Sequence, residues 1–207
     1  MPDVLVLDYG AGNLRSVVRA VQRVSGDPRI SDRAADLRDA RAVVMPGVGA
    51  AADTMRNLTE HGLVEPVRDY IASGRPFLGV CMGLQALLSF SEEGGRHPCL
   101  DVIPGAVVRL PAGQKVPHMG WNTIRMLRRH PLLDGIPDES YFYFLHSYHV
   151  APEDAEVVVA EAEYGRPFAA VVARDNVVAT QFHPEKSGEL GLRIYANFLA
   201  TVPAAVH

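Results

Sequence analysis

The chain has 207 residues, of which 48% are hydrophobic and 21% charged, the size and balance of one ordinary globular domain, and it is too apolar to be disordered over most of its length. Its net charge of −4 argues against broad binding to nucleic acid or anionic membrane, which needs basic excess. No apolar run approaches the roughly 20 residues of a spanning helix. The start MPDVLVLDYG lacks the basic region of a signal peptide, and Cys81 and Cys99 alone make no disulfide framework, so a cytoplasmic chain with reduced thiols is expected.

In chain order, Val4–Leu7 is a short apolar run closed by Asp8-Tyr9-Gly10-Ala11-Gly12-Asn13, which predicts a buried strand and a glycine-containing turn. Leu14, Val17, Val18, Val21 and Val24 recur at helical spacing, with Gly26 where a C-terminal cap belongs. Ala42–Met45 predicts another buried strand, closed by Pro46-Gly47-Val48-Gly49. A helix near Val64–Ala72 stops at Gly74, Pro76–Val80 reads as a strand and Met82–Phe90 as a helix. Strands alternating with helices point to a parallel sheet covered by helices on both faces.

After about Gly94 the pattern changes. Val107–Leu110, Thr123–Met126, Tyr141–Val150, Val157–Ala162, Phe168–Ala173 and Val177–Phe182 read as strands, with Asp175-Asn176 a hairpin turn between the last two. A final helix covers roughly Glu189–Leu199, with Ile194, Tyr195, Phe198 and Val202 on one face and Ser187 as its N-cap. Residues 1–207 thus read as a single α/β domain whose second half adds antiparallel strands.

Gly79-Val80-Cys81-Met82-Gly83 follows an apolar strand and opens a helix, the small-x-nucleophile-x-small pattern of a nucleophile elbow with cysteine in place of serine. On so tight a turn the residues two before and two after the nucleophile approach other backbone, and glycine fits there. A helix N-terminus beneath the thiol favours the thiolate. The alternative is a buried structural cysteine between two packing glycines. Further on, His183 and Glu185 stand two apart after a strand, on one face if the chain is extended. A carboxylate there can fix the imidazole tautomer and stabilise the imidazolium, giving a base and its orienter. The alternative is an exposed strand end with a capping serine. Pro46-Gly47-Val48-Gly49 is either a plain turn or, at the same carboxyl edge of the sheet, a loop that aims backbone N–H groups at an oxyanion.

GVCMGLQ (Gly79–Gln85) with FHPEKS (Phe182–Ser187) resembles the class I, triad-type glutamine amidotransferases. PGVG, DYGAGNL (Asp8–Leu14), PHMGWN (Pro117–Asn122) and YFLHSYH (Tyr143–His149) narrow the resemblance to the glutaminase subunits of imidazole glycerol phosphate synthases, and it covers nearly the whole chain. The resemblance implies a three-layer α/β glutaminase domain with a central, mainly parallel mixed sheet. It implies that Cys81 attacks the side-chain amide of L-glutamine, that His183 shuttles protons and that Glu185 orients His183. Met82 and the Val48–Gly49 stretch would supply the oxyanion donors. Gly49, Gln85 and Glu93 would bind glutamine, with Ser147 and Tyr148 contributing through backbone. No cofactor or metal is implied. The partner implied is a (β/α)₈-barrel cyclase, forming a heterodimer that uses the ammonia to make imidazole glycerol phosphate and aminoimidazole carboxamide ribonucleotide in histidine biosynthesis. Asn13, Trp121, Tyr143 and Lys186 would face the barrel.

Plainer readings stand beside several of these. Glu93 is one of several carboxylates in SEEGG, Trp121 could fill a core, and Lys186 could serve the oxyanion or solvent rather than the interface. His146 and His149, three apart on one expected strand, should point to opposite faces and make poor co-ligands, and His118 shows no sign of metal chemistry. Arg125, Arg128, Arg129 and His130 read as a solvated surface loop. Two other functions remain at this point: the glutaminase of another synthase, such as that making pyridoxal phosphate, and a non-catalytic partner-binding α/β protein.

Overall fold

Short apolar runs form the strands and the stretches of helical spacing between them form helices. The computed structural model describes residues 3–10 and 12–203, so Ala11 of the expected first turn lies outside the described residues. In chain order the elements are β1 (Asp3–Leu7), α1 (Leu14–Arg23), β2 (Asp27–Ser31), α2 (Ala34–Asp39), β3 (Ala42–Met45), α3 (Ala51–Glu60), α4 (Val64–Ala72), β4 (Phe77–Val80), α5 (Met82–Gln85), β5 (Leu88–Ser91), β6 (His97–Pro98), β7 (Ile103–Arg109), β8 (His118–Thr123), β9 (Arg125–Met126), β10 (Tyr141–His146), β11 (Tyr148–Pro152), β12 (Val158–Glu163), β13 (Pro167–Arg174), β14 (Val177–Thr180) and α6 (Gly188–Ala200).

The central sheet has the order β2-β1-β3-β4-β14-β13-β12-β9. Its first five strands are mutually parallel, and β13, β12 and β9 extend it antiparallel. Side chains alternate across it. Val4 and Val6 of β1 pack with Val17 and Val21 of α1 and Ile194 and Phe198 of α6. Leu5 and Leu7 pack on the other face with Leu37, Leu58 and Val67 of α2, α3 and α4. Burial on both faces is why these strands read as continuous apolar runs. Each such side chain contributes about 1.5–3 kcal/mol when fully buried. The mixed three-layer architecture expected from the sequence is therefore present.

Several local expectations need correcting. The helix begun at Met82 ends at Gln85, and Leu88–Ser91 instead runs as β5 beside β7 in a second sheet of order β11-β7-β5-β6. Leu84, Leu87 and Leu88 keep helical spacing while Leu88 and Phe90 also alternate, and pairing with the chain near Ile103 decides for the strand. The expected strand Tyr141–Val150 breaks at Ser147: β10 pairs with β8 in a two-stranded ribbon, while β11 pairs with β7. Thr123–Met126 likewise divides between that ribbon and β9. β2, α2 and α3 are elements that apolar pattern alone did not reveal. β2, DPRIS, is a half-exposed edge strand without an apolar run. The left-handed residue after α1 is Ser25, at φ 64°, rather than Gly26. Gly26 is needed for space, because a Cβ there would meet Val21 Cγ1 at 2.4 Å.

The glycines around Cys81 show the close approach that the elbow demands. A Cβ on Gly83 would lie 1.9 Å from the Met45 carbonyl oxygen, and one on Gly79 would lie 2.8 Å from Gly83 O. Gly47 is equally tight, with the Tyr9 hydroxyl and Met82 Cβ at 2.4 and 2.5 Å from a Cβ. β3, β4 and the elbow can therefore pack only with these positions bare. Gly83→Ala is expected to lower stability by about 1–3 kcal/mol or more, as overpacking against rigid backbone does, measured as a lower urea midpoint with little change in slope. An unchanged midpoint would show that the elbow has slack.

Candidate active site

β4 and β14 are parallel neighbours, with Val80 opposite Thr180, so the segments leaving their carboxyl ends emerge side by side. Cys81 comes directly after β4, and its N–H donates to Thr180 O at 2.7 Å. Its backbone sits at φ 54°, ψ −102°, a sparsely allowed conformation for a residue with a side chain. The surrounding pairing maintains that strain. α5 is one turn long, so the helix N-terminus anticipated beneath the thiol is short and its dipole small.

His183 and Glu185 do not lie along an extended strand. Pro184–Lys186 forms a 3₁₀ turn that folds Glu185 back under the imidazole. His183 Nδ1 lies 2.9 Å from Glu185 Oε1, and both side chains are only 1% exposed. Asn13 Nδ2 donates to the same oxygen at 2.7 Å. A carboxylate only accepts, so Nδ1 carries the proton in this pair and Nε2 is left as the reacting nitrogen. Nε2 is buried and has no hydrogen-bond partner among the described residues. Burial alone would lower the His183 pKa. The charge of Cys81 and then the carboxylate of Glu185 outweigh it and hold the imidazole well above its ordinary value.

The sulfur has two further neighbours. The Leu145 carbonyl lies at 3.8 Å and Gln181 Nε2 donates toward Sγ at 3.7 Å. Gln181 is fully buried, and its Oε1 accepts from Gln85 Nε2 at 3.3 Å. Sequence reasoning missed Gln181, although a buried glutamine at the end of an apolar strand, two before the candidate base, was a readable signal.

A cavity of about 180 Å³ opens at the sulfur. It brings together the sequence candidates Cys81, Met82, Val48, Gly49, Gln85, Glu93, Ser147 and Tyr148, and adds Pro117, Leu145 and His146. It is smaller than the ~300–1,000 Å³ of sites for drug-sized ligands, and suits a small molecule such as an amino acid. The Val48–Gly49 loop is tied at its base by the Tyr9 hydroxyl, which donates to Pro46 O at 2.6 Å. Gly49, at φ 104°, takes a conformation open to glycine. Glu93 is not merely solvated: its Oε2 accepts from Ala51 N–H at 3.0 Å, joining the start of α3 to the cavity wall.

The other candidates separate. Trp121 is 56% exposed rather than a core filler and lies edge-to-face with Tyr143, ring centroids 6.0 Å apart. Lys186 Nζ is 5.7 Å from the Tyr143 ring. The three share one surface, which the β8–β10 register extends to the exposed Met119 and Tyr141, two residues not singled out from sequence. Asn13 differs from them, because its amide is committed to Glu185. The basic run lies at the surface as expected, with Arg125, Arg128 and Arg129 exposed, and it also makes local contacts: Arg125 pairs with Glu161, Arg128 donates to Ala173 O, and His130 Nδ1 accepts from Leu132 N–H. His146 and His118 meet at 3.0 Å, yet no cluster of three or more His, Cys, Asp or Glu able to hold a metal occurs among the described residues. No helix among those residues is long and apolar enough to cross a membrane.

A cysteine on a strained elbow, an imidazole above its ordinary pKa and a buried carboxylate behind it can together perform acyl transfer through a thioester. Residues 5–202 match the family described as Glutamine amidotransferase class-I. Among solved structures, PurLQS from Thermotoga maritima superposes with a TM-score of 0.77 at 18% identity, covering 98% of this chain and 99% of that one. A structure described as a glutamine amidotransferase gives 0.75 at 20% identity, covering 95% and 99%. Fold and family match thus define a class I glutamine amidotransferase. An imidazole glycerol phosphate synthase subunit HisH from Syntrophotalea carbinolica is 52% identical over 94% of this chain and 98% of its own length. Subunits of that description from Chloroflexus aurantiacus and Desulfitobacterium hafniense are 51% and 49% identical, covering 95% and 93% of this chain and 94% and 92% of their own. The chain belongs to this HisH branch of the class I glutamine amidotransferases, the glutaminase subunits of histidine biosynthesis.

Burial lowers His118 from 6.5 to about 4 and His146 to about 3. A histidine whose folded value is depressed stabilises the fold fully above its unfolded value and loses that contribution as pH falls toward the folded one. The thermal midpoint is therefore expected to fall as pH drops from about 6.5 to about 4, and less steeply in His118→Asn. Equal slopes in the two proteins would contradict neutral burial of His118.

Proposed function

We propose that Cys81, His183 and Glu185 are the triad by which this subunit hydrolyses L-glutamine, and that the ammonia passes to a (β/α)₈-barrel cyclase bound as a heterodimer. The observation that carries the triad is the shared Glu185 oxygen: it accepts from both His183 Nδ1 and Asn13, leaving Nε2 buried and unpartnered on the side of Cys81. Cys81 Sγ attacks the glutamine side-chain carbonyl carbon, and the carbonyl π electrons move to oxygen. Backbone N–H groups of Met82 and of the Val48–Gly49 stretch stabilise that oxyanion. His183 Nε2–H protonates the leaving nitrogen, the C–N bond breaks, and ammonia departs from a γ-glutamyl thioester. Water then loses a proton to His183 and attacks the thioester, and sulfur leaves as glutamate forms. Gly49, Gln85, Glu93 and the Ser147–Tyr148 backbone line the cavity that would hold the rest of the glutamine.

The barrel-facing surface is proposed at Trp121, Tyr143 and Lys186, with Met119 and Tyr141 beside them. Exposed aromatic anchors and a cation are the composition of an interface centre. The same surface is mechanically close to the triad. His183 N–H donates to Tyr143 O at 2.9 Å, and Ser187 Oγ accepts from Tyr143 N–H at 3.0 Å while donating to His183 O at 2.7 Å. Ser187 thus serves this clamp rather than capping α6 with its side chain. We further propose that the Val48–Gly49 peptide completes the oxyanion site only when the partner and its nucleotide ligand bind. One missing donor of this kind costs about 10²–10³ in rate.

Cys81→Ala is expected to abolish ammonia release from glutamine while leaving synthesis by the assembled enzyme from added ammonium intact. Glutaminase activity retained by that variant would remove Cys81 as nucleophile. Lys186→Ala tests the interface separately: weaker association with the cyclase, by roughly tenfold or more for a buried charge pair, with covalent labelling of Cys81 by a glutamine-like electrophile preserved. Unchanged association and coupling would return Lys186 to solvent, and lost labelling would move it into the catalytic site.

A further inference from the structure

Two buried histidines beside the cavity take no part in the triad, and their hydrogen bonds allow one proton arrangement. His146 Nδ1 lies 2.9 Å from the Tyr148 carbonyl oxygen. A carbonyl only accepts, so His146 carries its proton on Nδ1, and in the neutral ring Nε2 is bare. That bare Nε2 lies 3.0 Å from His118 Nδ1, which therefore donates. His118 Nε2 is then the remaining acceptor, and Asn122 Nδ2 approaches it at 3.4 Å while donating to Glu163 O at 2.9 Å. The protons all point one way, from Asn122 on β8 to the cavity wall. Burial holds both rings neutral, with neighbouring His149 and His183 adding to the effect at His146. The rings are fixed by packing: His118 is stacked between Phe144 and Tyr164, centroids 5.0 and 4.1 Å away, and His146 lies against Phe168.

The Tyr148 carbonyl receives a second donor, Gln85 Nε2 at 2.8 Å. Gln85 Nε2 is thereby committed to Tyr148 O and Gln181 Oε1, which leaves Oε1 as the free acceptor of a residue that lines the cavity. An amide without such a constraint can turn over and present its NH₂ instead. We propose that His118 and His146 are positioning residues: their ordered hydrogen bonds fix the Tyr148 carbonyl, which fixes the Gln85 amide with its oxygen toward the ammonium of an α-amino acid. The inference rests on the reading of the cavity as a glutamine site and names the device that sets its polarity.

The test uses the full chain and two independent readouts. In ¹⁵N-labelled wild-type protein, both histidines should show the Nδ1–H tautomer at neutral pH. His118→Phe keeps a ring between Phe144 and Tyr164 but cannot donate to His146. For labelling of Cys81 by a glutamine-like chloroketone, its half-saturating concentration should rise roughly 3- to 10-fold, as expected for a lost hydrogen bond, with the limiting rate within about 2-fold. Alkylation by iodoacetamide, which carries no ammonium, should be unchanged. His118→Asn, whose amide NH₂ can stand where Nδ1–H stood, should restore the half-saturation. Nε2–H tautomers in the wild type, or an unchanged half-saturation in His118→Phe, would overturn the relay. If His118→Phe does not fold, the wild-type tautomers and the His118→Asn half-saturation decide. A wild type that reacts with iodoacetamide but ignores the chloroketone would instead contradict the glutamine reading itself.

Discussion

A buried imidazole stays charged only where neighbours compensate for its lost hydration, and the candidate site is organised around that constraint. His183 is 1% exposed and would be neutral if burial decided alone. Interaction with Cys81 on one side and Glu185 on the other reverses the outcome. Each partner needs its own support. Glu185 receives Asn13 from the start of α1, and the Tyr195 phenol of α6 lies against it and is kept protonated by burial and by the carboxylate's charge. Cys81 receives the Gln181 amide and a strained backbone that the β4–β14 pairing maintains. The candidate site is thus assembled by elements from both ends of the chain.

The scaffold supplies this constraint through close backbone contact. Gly79, Gly83 and Gly47 let β3, β4 and the elbow approach until any Cβ would collide with backbone or with Tyr9. The same approach sets the Val48–Gly49 loop beside Met82 on the wall of the cavity that opens at Cys81. The β8–β10 ribbon crosses near the site. It offers aromatic side chains on its outer face and, through Tyr143 and Ser187, holds the backbone of His183. A displacement of that ribbon by a partner would therefore be felt at the imidazole.

Much of this was legible in sequence because the determinants are local. Val4–Leu7, Ala42–Met45 and Val177–Thr180 are short apolar runs buried on both sheet faces, and such runs need no partner to be recognised. The elbow was legible because a nucleophile flanked by glycines at fixed distance reflects a steric requirement. The fold of His183 against Glu185 was legible as a pair but not as a shape, since the 3₁₀ turn at Pro184 depends on α6 packing behind it. What escaped depends on distant partners. β5 is a strand only because Ile103–Val107 lies beside it, and Tyr141–Val150 breaks at Ser147 because its halves join different sheets. The commitment of Asn13 to Glu185 spans 172 positions, and nothing in DYGAGNL itself discloses it.

Of the groups that keep His183 charged, Cys81 contributes most and Glu185 next. The direct measurement is an NMR titration of the His183 ring nitrogens in the wild-type chain and in Cys81→Ala, from pH 5 to 9. The charge balance above predicts a doubly protonated ring through neutrality in the wild type. In the variant burial regains control and the proton is lost at markedly lower pH. The same protonation curve in both proteins would contradict the account, because the sulfur would then carry no part of the compensation.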